Sequence, residues 1–152
     1  IDRRQRQAHE FRDPQPRAVE DLEHRDVAQT ERPAIAVLAG RYFTDRTRPS
    51  PVRNRRLALT PDTFRDGSIC ILNAASRALT LHRPDGHGVT VRLDGFPHLI
   101  LWAVPGGEFV AIEGWTGHGD PVIFTGSFGE RPSTSWLQVG GRATYSAAFT
   151  AF

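Results

Sequence analysis

From Leu57 onward the apolar residues of this chain fall in short runs that keep the two-residue period of strands, with glycine and proline between them and no helical period. Ala78–His82 alternates, placing Leu79 and Leu81 on one face and Thr80 and His82 on the other. Val89–Asp94 alternates again, and the intervening Asp85-Gly86 is a tight-turn pair, so the two runs predict a hairpin. Leu99–Val104 and Phe109–Ile112, parted by Pro105-Gly106-Gly107-Glu108, predict a second one directly after it. Ser68–Leu72 is a continuous apolar run of strand length. Further strands are expected at Val122–Thr125, at Ser135–Val139 and, after the Gly140-Gly141 turn, from Arg142 to Thr150. Upstream, Ala34–Ala39 closed by Gly40 reads as one more buried strand. Together these predict an all-β antiparallel sandwich over residues 34–152.

The first 33 residues follow a different pattern. Phe11, Val19, Leu22 and Val27 are too sparse to form a stripe, and Pro14, Pro16 and Pro33 break up any long helix. A short polar helix over Val19–Val27 inside a charged, poorly ordered arm (1–33) is the expectation. A basic loop is expected at Thr44–Arg56, with arginines at 46, 48, 53, 55 and 56.

Charge changes this picture little. All 19 basic residues are arginine, set against 17 acids, and the formal +2 is too small to imply nucleic acid or an anionic membrane surface. The surplus is uneven: residues 1–65 hold 14 arginines and 10 acids, residues 66–152 hold five and seven. In the arm, Glu10, Asp13, Glu20, Asp21, Glu23, Asp26 and Glu31 neutralise the arginines locally, so a nucleic-acid partner is not expected. Cys70, the single cysteine, excludes an internal disulfide and a cysteine-built metal cluster, and its apolar strand suggests a small buried thiol. The six histidines never pair at metal-ligand spacing, so no metal is expected. No run approaches the roughly 20 apolar residues of a membrane span, and the basic start lacks a signal-peptide core. A cytoplasmic monomer or dimer with no membrane partner is the expectation.

Candidate chemistry concentrates where the second apolar run of the 99–112 hairpin ends in Glu113, followed by Gly114 and Trp115. A carboxylate delivered from an apolar strand to a glycine-rich loop is placed for chemistry, since apolar walls penalise the ion, and the indole beside it offers a flat apolar surface on which a sugar ring can stack. The run FPHLILWAVPGGEFVAIEGWTGHGD resembles the C-terminal signature of the aldose 1-epimerase (galactose mutarotase-like) family, in an aromatic-Pro opening, a strand ending in Trp, and an apolar strand ending in Glu-x-Trp before a Gly/Asp loop. Gly114 departs from it, since the family usually has proline there. The resemblance extends over about residues 56–152, and because family members are considerably longer, it implies the later part of the full family sandwich. With no methionine in the chain, a fragment or truncated relative is expected.

The resemblance implies an enzyme that interconverts the α and β anomers of an aldohexose, with Glu113 as general base on the C1 hydroxyl and no cofactor. It implies Trp115 near the sugar or bracing the Glu113 loop, Asp120 in the Gly/Asp loop, and Asp66 where some relatives hold a sugar hydroxyl. The histidines that supply the family's acid come from earlier segments with no counterpart here, and His118 is the best local substitute. Trp102 reads as core. Two alternatives accompany this reading: a non-catalytic carbohydrate-binding sandwich, and a hexose-6-phosphate mutarotase resting on the 46–56 arginines.

Overall fold

The computed structural model describes residues 17–21, 35–104 and 107–152. Its strands are β1 (Arg17–Asp21), β2 (Ile35–Ala39), β3 (Tyr42–Arg48), β4 (Arg56–Leu59), β5 (Ile69–Ile71), β6 (Ala78–His82), β7 (Gly88–Asp94), β8 (His98–Trp102), β9 (Ala111–Trp115) and β10 (Ser146–Ala151). They form two five-stranded sheets, ordered β10-β7-β6-β1-β4 and β3-β2-β5-β8-β9, and every pairing between strands is antiparallel. The architecture is an all-β sandwich.

The alternating runs explain the layers. In the first sheet Leu57, Leu79, Val91 and Leu93 turn inward, and in the second Ile35, Ile69, Ile71, Leu99 and Leu101 do the same, so the two sets make one buried core. The β6–β7 hairpin closes as expected: the His87 N–H donates to Asp85 Oδ1, and Leu79 lies opposite Val91. The β8–β9 hairpin also forms, with Ile100 opposite Glu113. Its turn residues Pro105 and Gly106 lie outside the described residues.

Three local expectations are corrected. Arg17–Asp21 is a strand between β4 and β6 where a polar helix was expected from Val19. Its backbone supplies the ladder that both neighbours need, and that pairing outweighs weak local propensity. The remainder of the 1–33 arm lies outside the described residues. Residues 44–48, expected in a basic loop, continue β3, because hairpin pairing with β2 carries Arg48 opposite Ile35. The runs at Val122–Thr125 and Ser135–Val139 form no strands. Residues 122–145 run irregularly over the surface with one short 3-10 turn, Phe128–Glu130; at their start Pro121 and Val122 touch Phe43 on the edge strand β3 in an isolated bridge that does not extend into a ladder.

Candidate functional site

Alternation along β8 and β9 gives the second sheet two different faces. Leu99, Leu101 and Ile112 point into the sandwich core, whereas His98, Ile100, Trp102, Glu113 and Trp115 share the opposite face. On that face the register sets Ala36, Cys70, Ile100 and Glu113 in one row across β2, β5, β8 and β9. Ile100 and Cys70 are each 1% exposed, so the half-buried Glu113 stands at the end of a dry row, on an edge strand.

Glu113 is hydrogen-bonded at both oxygens. Trp102 Nε1 donates to Oε1 at 2.6 Å and Trp115 Nε1 donates to Oε2 at 2.8 Å. Register explains the convergence: Trp115 is two residues along the same strand face, and Trp102 lies opposite Ala111, diagonal to Glu113 on the other side. Phe109 packs edge-on against Trp102, with ring centroids 5.6 Å apart. Beneath them, burial, opposed in part by Arg48 and reinforced by the Glu113 charge, pushes the Cys70 thiol up to about 11, so it stays protonated and unreactive.

Two imidazoles occupy the same region. His98, opposite Trp115, is buried, and its Nδ1 accepts a hydrogen bond from the Asn73 N–H at 3.1 Å, which puts the ring proton of the neutral form on Nε2. Burial, and after it the neighbouring His118, holds His98 below the ordinary imidazole pKa. His118 packs edge-on against His98 at 5.2 Å and tilted against Phe43 at 4.8 Å. Its Nδ1 lies 2.9 Å from the Gly119 carbonyl oxygen, which can only accept, so Nδ1 carries the proton and Nε2 is the other ring nitrogen.

The loop holding His118 is pinned from two sides. The Phe43 N–H donates to the Asp120 carbonyl at 2.9 Å and the Val122 N–H donates to the Phe43 carbonyl at 2.8 Å, so the loop lies along β3. Gly119 permits that approach, since a Cβ there would come 2.8 Å from the Arg41 carbonyl oxygen. From the irregular segment, Ser133 Oγ donates to the His118 carbonyl at 2.9 Å, and Arg131 pairs with the Asp120 carboxylate.

The structure therefore joins Glu113 to Trp115, packs His118 on His98, which lies opposite Trp115, and commits Asp120 to Arg131. Asp66 is exposed in the turn three residues before β5, toward the Trp102 end of β8. The 46–56 arginines divide among β3, the turn before β4, where Arg53 donates to the Ser50 and Val52 carbonyls, and Arg56 at the start of β4. Trp102 and His98 are the residues that sequence reasoning missed. The signal that could have found them is the alternation His98, Ile100, Trp102, once hairpin register had put Glu113 on the same face. Gly114, on the core-facing side of β9, meets the ring of Phe96, which a Cβ would approach to 2.6 Å. Among the described residues, no group of three or more His, Cys, Asp or Glu side chains could hold a metal ion, and no helix is long and apolar enough to cross a membrane.

No protein-family model matches the chain. Over 75 residues it is 37% identical to Protein LacX of Lactococcus lactis subsp. lactis, in both plasmid and chromosomal forms, a match covering 48% of this chain and 25% of LacX. Its structure matches the crystal structure of a galactose mutarotase-like protein from Lactobacillus casei ATCC 334 with a TM-score of 0.66 and 21% identity, covering 91% of this chain and 46% of that one. The chain thus spans less than half the length of the proteins it matches, and the matched portion of the solved structure is its C-terminal part. With its two antiparallel sheets and this match, the chain has the fold of the later part of a galactose mutarotase-like β-sandwich.

Proposed function

We propose that the face carrying Glu113 binds an aldohexose and interconverts its α and β anomers. The observation that carries this reading is a carboxylate held at both oxygens by indoles, on the same sheet face as His98, against which His118 packs.

Mutarotation needs a base to take the proton from the anomeric hydroxyl while an acid protonates the ring oxygen. The C1–ring oxygen bond then breaks to give the open-chain aldehyde, rotation about C1–C2 presents the other carbonyl face, and reclosing reverses both proton transfers. Glu113 is the base in this reading. Each of its oxygens keeps a lone pair beyond the one engaged by an indole. His118 is the acid in its doubly protonated form, giving the Nε2 proton to the ring oxygen while Nδ1–H stays on the Gly119 carbonyl, and it takes that proton back when the ring recloses. Trp115 and Trp102 supply apolar ring surface for the C–H face of a sugar. Asp120 acts through Arg131 and the loop, and Asp66 has a place only if the sugar reaches the Trp102 end of β8.

Polarimetry of freshly dissolved α-D-glucose and α-D-galactose tests the reading. The wild-type chain is expected to speed the approach to anomeric equilibrium and Glu113→Gln to leave the spontaneous rate. The coverage of less than half of the matched structure favours a second reading, carbohydrate binding without catalysis. Sugar binding by calorimetry with no acceleration by the wild type would establish that one instead. Stronger competition by a hexose 6-phosphate than by free hexose would move the substrate to the phosphorylated sugar.

A further inference from the structure

The two indoles on Glu113 come from different strands, and their placement restricts the carboxylate more than either bond alone. Trp115 reaches Oε2 from along β9, and Trp102 reaches Oε1 from β8. An indole N–H only donates and an ionised carboxylate only accepts, so each oxygen meets the one kind of partner it can use. With one donor on each oxygen, rotation of the carboxylate about its last carbon–carbon bond breaks both contacts at once. Trp102 is itself oriented by the Phe109 ring at a right angle to it. Sequence alone places Trp102 in the core, at the end of the first strand of the motif, and does not link its ring nitrogen to Glu113.

We propose that Trp102 is a positioning residue for Glu113, forming with Trp115 a two-indole clamp that fixes the carboxylate plane and aims its remaining lone pairs at the anomeric hydroxyl. This rests on the reading of Glu113 as the base. The clamp works through orientation: a base held in the attacking geometry does not lose the factor that free rotation would cost, and small misplacements of a catalytic group are expensive.

The chain holds three tryptophans, and the third, Trp136, is 72% exposed, so it serves as an internal control. In the 15N–1H spectrum of the whole chain, the three indole N–H signals are assigned by single Trp→Phe variants. Glu113→Gln keeps the side-chain shape but leaves one oxygen acceptor and one amide donor where two acceptors stood. It is expected to move the Trp102 and Trp115 signals and leave that of Trp136 in place. Trp102→Phe, which retains an aromatic ring and removes the N–H, is expected to lower kcat by about ten- to a hundredfold with KM changed less than about twofold. A Trp102 signal that ignores Glu113→Gln overturns the clamp. So does a Trp102→Phe variant with wild-type kcat and KM. If the wild type fails to speed mutarotation, the reading of the reaction falls, and the indole signals alone decide whether the clamp exists.

Discussion

Residues 35–115 and residues 122–152 are similarly endowed with large apolar side chains, yet they meet opposite fates. Among the described residues from Ile35 onward, every buried hydrophobic residue lies between Ile35 and Leu101. Nine of the twelve exposed large hydrophobics lie at Val122 or beyond, including Ile123, Trp136, Val139 and Phe149. The difference is the presence of an opposing layer. Strands β2, β5 and β8 have the β6–β7 sheet over one face and the indole, Leu38 and Phe43 cluster over the other. Strand β10 pairs along β7 through its backbone, but each of its residues stays exposed, including Phe149, which shares the inward face with Val91. A hydrogen-bonded ladder thus fixes where a strand lies without burying it. Burial needs a second surface.

That comparison can be broken by substitution. Ile100→Ala, at a 1% exposed position under Glu113, is expected to cost about 2–5 kcal/mol of unfolding free energy in urea titrations. A cost under 1 kcal/mol would mean that the 35–115 block is not the stable part. Gly114→Ala drives a methyl into the Phe96 ring and is expected to cost about 1–3 kcal/mol, with Phe96→Ala in the same chain relieving part of it.

Protonation sharpens the same contrast. Because burial and His118 hold His98 below the usual imidazole pKa of 6.5, the unfolded chain takes up a proton there more readily than the folded one. The stability contribution is therefore present above about pH 6.5 and is lost as the pH falls, with a slope of at most about 1.4 kcal/mol per pH unit. His98→Asn, which retains an acceptor for the Asn73 N–H, should flatten that slope in denaturation curves taken from pH 7 to pH 5.

Smaller effects are expected farther along the chain. The Arg131–Asp120 pair is about one-third exposed, so Arg131→Ala should cost only about 0.5–1 kcal/mol after solvent screening. It should nevertheless raise amide hydrogen exchange across 117–121, where Arg131 and Ser133 hold the His118 carbonyl. Trp136→Ala and Val139→Ala should stay within about 0.5 kcal/mol of wild type. A cost comparable with that of Ile100→Ala would show that the outer segment is covered in solution.

Most strands were legible because alternation and turn residues agree locally. Leu79 and Leu81 with Asp85-Gly86 define one hairpin, and the runs on either side of Gly106-Gly107 define the other. Strand β1 was not legible, since RAVED carries little apolar content and its strand state depends on β4 and β6 lying on either side. The expected strands at 122–125 and 135–139 went wrong for the converse reason: their composition suits a strand, but pairing depends on a neighbour that sequence does not reveal. At the site, Glu113, Trp115 and His118 were singled out within six residues of one another. Trp102 and His98 reach the same face only through cross-strand register, which a linear motif does not encode.

The two indoles that hold Glu113 also make the site optically self-reporting. Indole emission responds to charge and to solvent at the ring nitrogen, so ligand capture by the carboxylate alters the fluorescence of Trp102 and Trp115 without any added label. Trp136, out in the solvent, contributes only background. Replacing it with Phe leaves a chain whose entire tryptophan emission comes from the two residues touching the candidate base, so that a panel of sugars can be screened for occupancy before any turnover is measured.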